Sequence, residues 1–450
     1  MAATNGISPA QLKQTVSETI DGQFESITGI ADRILRHPET GYKEFETAGV
    51  VDEWLTKLDI PHATGIAVTG VKAEIDTGRP GPTVAIMGEL DALPVPDHPH
   101  AHPDTGAAHA CGHNNQIASM LGAAMGFTQS GVLENLCGRL VFIAVPAEEY
   151  VEVGFRQSLR DQGTIEFLGG KPEFIRLGAF DDVDFAMMVH TTSSAEDGIV
   201  CMTGTSNGTV AKHVTYHGRA AHAAGAPHRG INALNAATLA FTAIQYQRET
   251  FRDEDTVRAH FIIKRGGEVN NVIPALVQME GKVRGKTMEA MLEANEKVQR
   301  ALKAGALATG ATVDIETFPG YFPMIHHTPL ADLYRENAVS LVGEDNIKTR
   351  DHGTGSTDMG DVMHVVRGIH PAAGGATGTG HGNDFLLADA NHAIINPAKL
   401  MAQTAVDLLA NGAETAHRVM EETKPPLSKE EYLTQLRSLA QTEEYNGAEQ

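Results

Sequence analysis

Cysteine is scarce in this chain: three residues in 450, Cys111, Cys137 and Cys201. An odd, sparse count builds no disulfide framework and fits a reducing compartment. Positive charge is also short, with 35 Lys plus Arg against 57 Asp plus Glu and a net charge of -22. So acidic a surface argues against nonspecific binding to nucleic acid or anionic lipid. A few buried Arg or His can still receive an anionic small substrate. No apolar run approaches the ~20 residues of a membrane span. The first residues, MAATNGISPAQ, carry neither a basic stretch nor an apolar one, so no secretory signal is expected and a cytoplasmic protein is. Internal repeats, a phosphate-binding P-loop and the GxGxxG fingerprint are missing too. The glycines around 374–382 lack the strand–loop–helix context that phosphate binding needs.

What is present describes a globular chain of two or three domains. Hydrophobic residues make up 42% and charged residues 20%, enough for a sizeable core. The 46 glycines fit many tight turns, and 21 histidines prompt a search for metal ligands. Apolar periodicity predicts helices over 8–36, 45–58 and 114–128, and strands over 68–75, 83–90, 139–145 and 183–189. This is an α/β pattern, a mixed sheet covered by helices on both faces. From residue 206 the texture changes. Strand, helix, strand, strand, helix and strand follow one another over 209–216, 230–246, 258–263, 277–283, 287–307 and 312–318. That order is ferredoxin-like. Three segments result: a first catalytic part at 1–205, an inserted α+β lid or dimerisation domain at 206–325, and a second catalytic part at 326–450. With only two crossings between them, hinge closure of the lid is expected. Helices are expected at 397–410 and 428–440, and the tail EEYNGAEQ should fray.

Four places carry chemistry. In His109-Ala-Cys-Gly-His-Asn-Asn-Gln116, the thiolate of Cys111 and the imidazole of His113 can face one cation, although a Cys beside a His also arises by chance in a His-rich chain. Pro146-Ala-Glu-Glu149 follows the apolar strand 140–145, where α/β proteins build sites. One carboxylate can bind a metal while its neighbour handles protons, or both can be a solvated loop pair. His190 ends another apolar strand, and His381 lies in a glycine-rich loop; each alone is a weak signal. Together they offer ligands for one or two transition-metal ions. A metal that activates water beside a carboxylate base is the apparatus of hydrolysis.

The chain resembles the M20 metallohydrolases, in the amidohydrolase branch with auxin-conjugate hydrolases, N-acyl-amino-acid deacylases and aminobenzoyl-glutamate hydrolases. The resemblance rests on ordered motifs: Gly88-Glu-Leu-Asp-Ala-Leu-Pro94, His109-Ala-Cys-Gly-His-Asn114, Pro146-Ala-Glu-Glu149, Phe180-Asp-Asp-Val-Asp184 leading to His190, Gly218-Arg-Ala-Ala-His-Ala223, Asn271-Val-Ile-Pro274, Val283-Arg284, Gly355-Ser-Thr-Asp358 and His381. The Cys-Gly-His-Asn form and Gly-Arg-Ala-Ala-His-Ala are most similar to the aminobenzoyl-glutamate hydrolase group. The resemblance implies a zinc-peptidase-like fold. It implies that Cys111, His113, Glu149, His190 and His381 ligate Zn or Mn, one or two ions per subunit. Glu148 would be the general base and then acid, and Asp91 would orient a ligand histidine. His222 would reach a neighbouring subunit's site and polarise the scissile carbonyl. Asn271 and Arg284 would contact a carboxylate-bearing small substrate. A homodimer or higher oligomer is implied.

Two positions depart from many relatives: Asn114 and Gln116 stand where Asp and His are common, which touches the second metal and the substrate. The stretch Pro96-Asp-His-Pro-His-Ala-His-Pro103 is an atypical active-site loop with metal-scavenging character, and 150–170 an insert that would shape the pocket. The expected function is cleavage of the amide bond of a small N-acyl or N-aroyl amino acid. Rivals are hydrolytic deamination of a substituted aromatic amine such as an aminobenzoate, a cysteine-nucleophile amidase using Cys111 with His109 or His113, and a binding protein that has kept the fold.

Overall fold

The computed structural model describes residues 7–449. The chain forms two compact units. One takes the residues up to Gly204, Ile325–His352 and Asp361–Lys429; the other takes Thr205–Met324, Gly353–Gly360 and the chain from Glu430 onward.

In the first unit a six-stranded sheet runs in the order His62–Ile66, Gly70–Asp76, Arg139–Val145, Thr83–Glu89, Phe185–Met187, Arg367–Ile369. The last four strands are mutually parallel and the first two antiparallel, so this is a mixed sheet. Val84, Ile86, Leu140, Phe142, Phe185 and Met187 are buried in one core with the helices Pro9–Gly22, His113–Ser130 and Asn396–Leu409. Strands buried on both faces read as continuous apolar runs, which is why 139–145 stands out in the sequence. His62–Ile66 does not stand out: it is polar and half-exposed, an edge strand without an apolar signature. The single helix expected over 8–36 is two, Pro9–Gly22 and Phe24–Leu35. Ser8 and Gln11 form a capping box at its start. Gly22 is a poor helix former, and Gln23 N–H turns back to Ile20 C=O at 3.0 Å, so the chain kinks there. Among the described residues no helix is long and apolar enough to cross a membrane.

The second unit carries a five-stranded antiparallel sheet ordered Arg258–Arg265, Leu276–Gly285, Gly208–His217, Thr312–Tyr321, Gln441–Asn446. The helices Ala233–Gln247 and Met288–Thr309 pack on it. The fifth strand corrects the expectation of a frayed tail. Residues Gln441–Asn446 pair in register with Thr312–Thr317, Gly447 N–H donates to Ala311 C=O at 2.9 Å, and Lys303 pairs with Glu443. The tail adds a strand along Thr312–Thr317, and its backbone groups complete the ladder on that side of the sheet. Two crossings between the units were expected. The chain makes five, at 204/205, 324/325, 352/353, 360/361 and 429/430, because both Gly353–Gly360 and the chain from Glu430 onward return to the second unit.

Candidate metal centre

Parallel strands aim their C-terminal ends the same way, and the chemistry lies there. Thr83–Glu89 delivers Glu89 and Asp91, Arg139–Val145 delivers Glu148 and Glu149, and Phe185–Met187 runs on to His190. His190 is fixed by the pairing of His190–Thr191 with Ala372–Ala373. Cys111 and His113 flank Gly112, which turns into the buried helix His113–Ser130 with φ 82°. A Cβ on Gly112 would sit 2.8 Å from the Thr191 Cβ, so glycine is required by both conformation and space. His381 stands on an exposed loop tied down by its own N–H, which donates to Ala110 C=O at 2.9 Å.

These residues meet in three groups whose ligand atoms all lie within 4.8 Å of one another: Cys111, His113 and His190; Cys111, Glu149 and His381; Glu89, His113 and Glu148. The first two share Cys111. Its Sγ lies 3.2 Å from His190 Nε2, and His381 Nε2 lies 3.1 Å from Glu149 Oε1. A thiol, imidazoles and a carboxylate converging in this way form a donor set that suits a divalent metal ion, and the two groups meet at one sulfur. The five expected ligands are thus together. Burial pushes the Cys111 thiol up, but the His190 and His113 imidazoles outweigh it and hold the thiol at about 6. His381 is raised to about 11 by hydrogen bonding to Cys111 and Glu149. A site that favours thiolate and crowds anions beside imidazoles is organised for positive charge.

The expected role of Asp91 differs in detail. His113 Nδ1 lies 2.8 Å from the Asp91 backbone carbonyl and 3.4 Å from its carboxylate. The carboxylate instead accepts the backbone N–H groups of Glu148 at 3.1 Å and Glu149 at 2.9 Å. Asp91 therefore orients the histidine by its main chain and both glutamates by its side chain.

Several neighbours are given no role by the sequence motifs, although Glu89 stands inside one of them. Glu89 is buried and held by Lys171 Nζ at 2.5 Å, Gln116 Nε2 at 2.8 Å and His113 Nε2 at 3.1 Å. Burial opposes its charge, but Lys171 and His113 keep it well below the usual carboxylate range. Lys171 stands in the first turn of the short helix Gly170–Leu177, far along the chain, and nothing in its spacing marks it. Gln116 thus clasps Glu89, while Asn114 donates to Ala31 C=O at 3.2 Å. In the His-rich loop two of the rings are engaged with the backbone. His98 is buried against Phe385 C=O at 2.8 Å and accepts from His100 N–H, and His102 accepts from Asp104 N–H. These rings cap turns, and among the described residues none joins a metal-holding group.

In the second unit, His222 and Asn271 lie together and exposed: Ala223 N–H donates to Asn271 C=O at 2.9 Å and His222 bridges to Val272. His222 Nδ1 accepts from the N–H groups of Ala224 at 3.2 Å and Gly225 at 3.0 Å. Arg284 sits at the opposite end of Leu276–Gly285, so within this unit it is not beside that pair.

Comparison with known proteins agrees with this frame. Residues 85–422 match the profile of peptidase family M20/M25/M40. The Xaa-Arg dipeptidase of Mus musculus is 30% identical over 449 residues, covering 94% of each chain. The fold matches the Bacillus subtilis YXEP protein, a dinuclear metal-binding peptidase of the M20 family, with TM-score 0.64 and 24% identity over 86% of this chain and 99% of that one. It also matches an aminobenzoyl-glutamate utilization protein from Klebsiella pneumoniae, with TM-score 0.66 and 21% identity over 87% of this chain and 98% of that one. The profile spans most of the chain, including every residue of the cysteine-sharing groups, and this protein belongs to peptidase family M20/M25/M40.

Proposed function

We propose that this protein is a metal-dependent hydrolase that cleaves the amide bond of a small N-acyl or N-aroyl amino acid, with dipeptides inside the same class. The observation that carries this is the pair of donor groups sharing Cys111 with Glu148 beside them. A bound divalent ion would supply a Lewis acid and a water acidified enough to lose its proton near neutral pH. Cys111, His113, Glu149, His190 and His381 would hold it. Glu148 takes the proton of the attacking water as the new C–O bond forms. It returns that proton to the amine nitrogen as the C–N bond breaks. Asp91 keeps Glu148 and Glu149 in register through their N–H groups. His222 presents Nε2–H, since its Nδ1 is occupied as an acceptor, and that donor suits a developing oxyanion. Arg284 and Asn271 are assigned to the substrate carboxylate, and the working form to a homodimer.

The relationship to a dipeptidase supports the amide bond over aromatic deamination. One observation favours a cysteine nucleophile instead: Cys111 at about 6 with His190 at 3.2 Å resembles a thiolate–imidazole pair. The two separate cleanly. Metal analysis is combined with a panel of N-acetyl amino acids, aminobenzoyl-glutamate, Xaa-Arg dipeptides and aminobenzoates. Chelator loss with restoration by Zn or Mn, and amine without free ammonia, is the expected result. Full activity in metal-stripped protein, abolished by thiol alkylation, would overturn the metal assignment.

A further inference from the structure

The turn Ala147–Glu149 is gripped from three sides by buried ionisable residues, of which Glu44 is raised to about 8 by its burial and by Asp91. Ala147 N–H donates to Glu44 Oε1 at 2.8 Å, and the N–H groups of Glu148 and Glu149 go to the two oxygens of Asp91. From the other side Arg156 donates through Nη1 to Ala147 C=O at 3.0 Å and Leu168 C=O at 2.8 Å, and through Nη2 to Glu149 C=O. Arg156, Glu44 and Asp91 are each 0% exposed. Ala147 adopts φ 58°, a left-handed conformation that a non-glycine residue rarely takes and that persists only where its surroundings impose it.

Burying a guanidinium is expensive, and an apolar side chain of similar volume would fill the space. An arginine at such a place is explained by its planar fork, which spans carbonyls that no other side chain can bridge together. The surroundings are shaped to it. The guanidinium lies 5.6 Å from the centre of the Tyr42 ring. A Cβ on Gly41 would come within 2.3 Å of Arg156 Nη2 and 2.8 Å of Ala147 Cα. The insert 150–170 folds into the helix Val153–Asp161 that carries this arginine.

We propose that Arg156 is a positioning residue for the metal centre. It fixes the peptide planes of Ala147 and Glu149 against the Asp91 carboxylate, so that Glu149 faces Cys111 and His381 while Glu148 stays beside Glu89 and His113. Rotation of either plane would swing Glu149 out of the donor group. This rests on the metal-dependent function proposed above.

The test uses the full-length protein and Co²⁺ as a probe, whose thiolate charge-transfer and d–d bands report the ligands around it. Wild type is compared with Arg156→Ala and with Arg156→Lys, which keeps the charge and cannot bridge two carbonyls. Circular dichroism verifies folding. Both folded variants should bind Co²⁺ about 10–100-fold more weakly, with altered d–d bands, as for loss of a group that orients a ligand. Millimolar guanidinium should restore Arg156→Ala, and methylammonium should not. If Arg156→Ala does not fold, Arg156→Lys decides. Wild-type affinity and spectrum in a folded variant overturn the clamp and leave the metal reading standing. A lowered melting temperature with an unchanged Co²⁺ spectrum would reduce Arg156 to a prop of the fold and overturn it equally. Absence of any thiolate–Co²⁺ band in wild type removes the metal reading, and the clamp with it.

Discussion

Glu148 and Glu149 are neighbours in sequence with different environments, and their expected substitutions differ accordingly. Glu149 lies in the group with Cys111 and His381, whereas Glu148 lies with Glu89 and His113. Glu148→Gln keeps the size and removes the base, so metal content should be unchanged while turnover falls at least ~100-fold. Equal turnover in a metal-replete variant would strike Glu148 from the mechanism. Lys171→Met tests the buried pair instead. Removing the ammonium leaves Glu89 charged at 1% exposure, which should cost about 3–5 kcal/mol in urea unfolding of chelator-treated protein. Adding Glu89→Gln should recover part of that loss; a double variant as weak as Lys171→Met alone would show that the pair is not coupled. The sequence displays the first kind of residue and hides the second. Cys111, His113, Glu148, Glu149 and His190 are legible because they follow apolar runs or sit in short motifs. Glu44, Glu89, Arg156 and Lys171 are supports, and their partners are fixed only by tertiary packing, 103 residues away for Glu44 and Ala147 and 82 for Glu89 and Lys171.

Elements with strong periodicity were legible for the same reason. The strand Arg139–Val145 and the order of the inserted sheet follow from buried runs and alternation. The strand Gln441–Asn446 was not: QTEEYN is polar, and it becomes a strand because a neighbouring edge is open. One consequence concerns the buried face of that sheet. Lys212, in Gly208–His217, is 2% exposed and donates to Gln299 Oε1 at 2.6 Å and Thr317 Oγ1 at 2.7 Å. Burial lowers its amine to about 7, with Glu443 on the added strand opposing that shift. A lysine whose folded pKa is depressed favours folding above its unfolded value, near 10.5, and that contribution is lost as pH falls toward about 7. Wild type should therefore gain stability over a Lys212→Met variant between pH 7 and pH 10, with the difference narrowing to a minimum below about 7. Melting curves at pH 6, 8 and 9.5 check this. A difference that is constant with pH would mean that Lys212 stays charged in its buried site.

At the scale of the whole molecule, the two units divide the proposed chemistry, with Glu148 in the first and His222 in the second. The inserted sheet ends in the edge strand Arg258–Arg265, on which Ile262 and Ile263 are 46% and 40% exposed. An open edge with apolar side chains is a template for pairing with a second copy, and two-fold pairing is self-complementary. His222 is exposed on the loop after Gly208–His217, and its Nδ1 accepts from the two amides of Ala224 and Gly225, which assigns the donor role to Nε2. A dimer in which each copy lends His222 to the other's metal centre makes a prediction that a monomeric enzyme does not. A His222→Ala chain and a Glu148→Gln chain should each be nearly inactive alone. Mixed under conditions that exchange subunits, half of the dimers become heterodimers. One site in each then combines an intact Glu148 with an intact His222 from the other chain, and the other site lacks both. Activity should return to roughly a quarter of wild type at equal mixing. Differently tagged chains, purified through both tags, should show about half the wild-type activity per dimer. The recovery should also vanish when the two substitutions are placed on the same chain and mixed with themselves. Verified heterodimers that stay inactive would place His222 in the service of its own subunit.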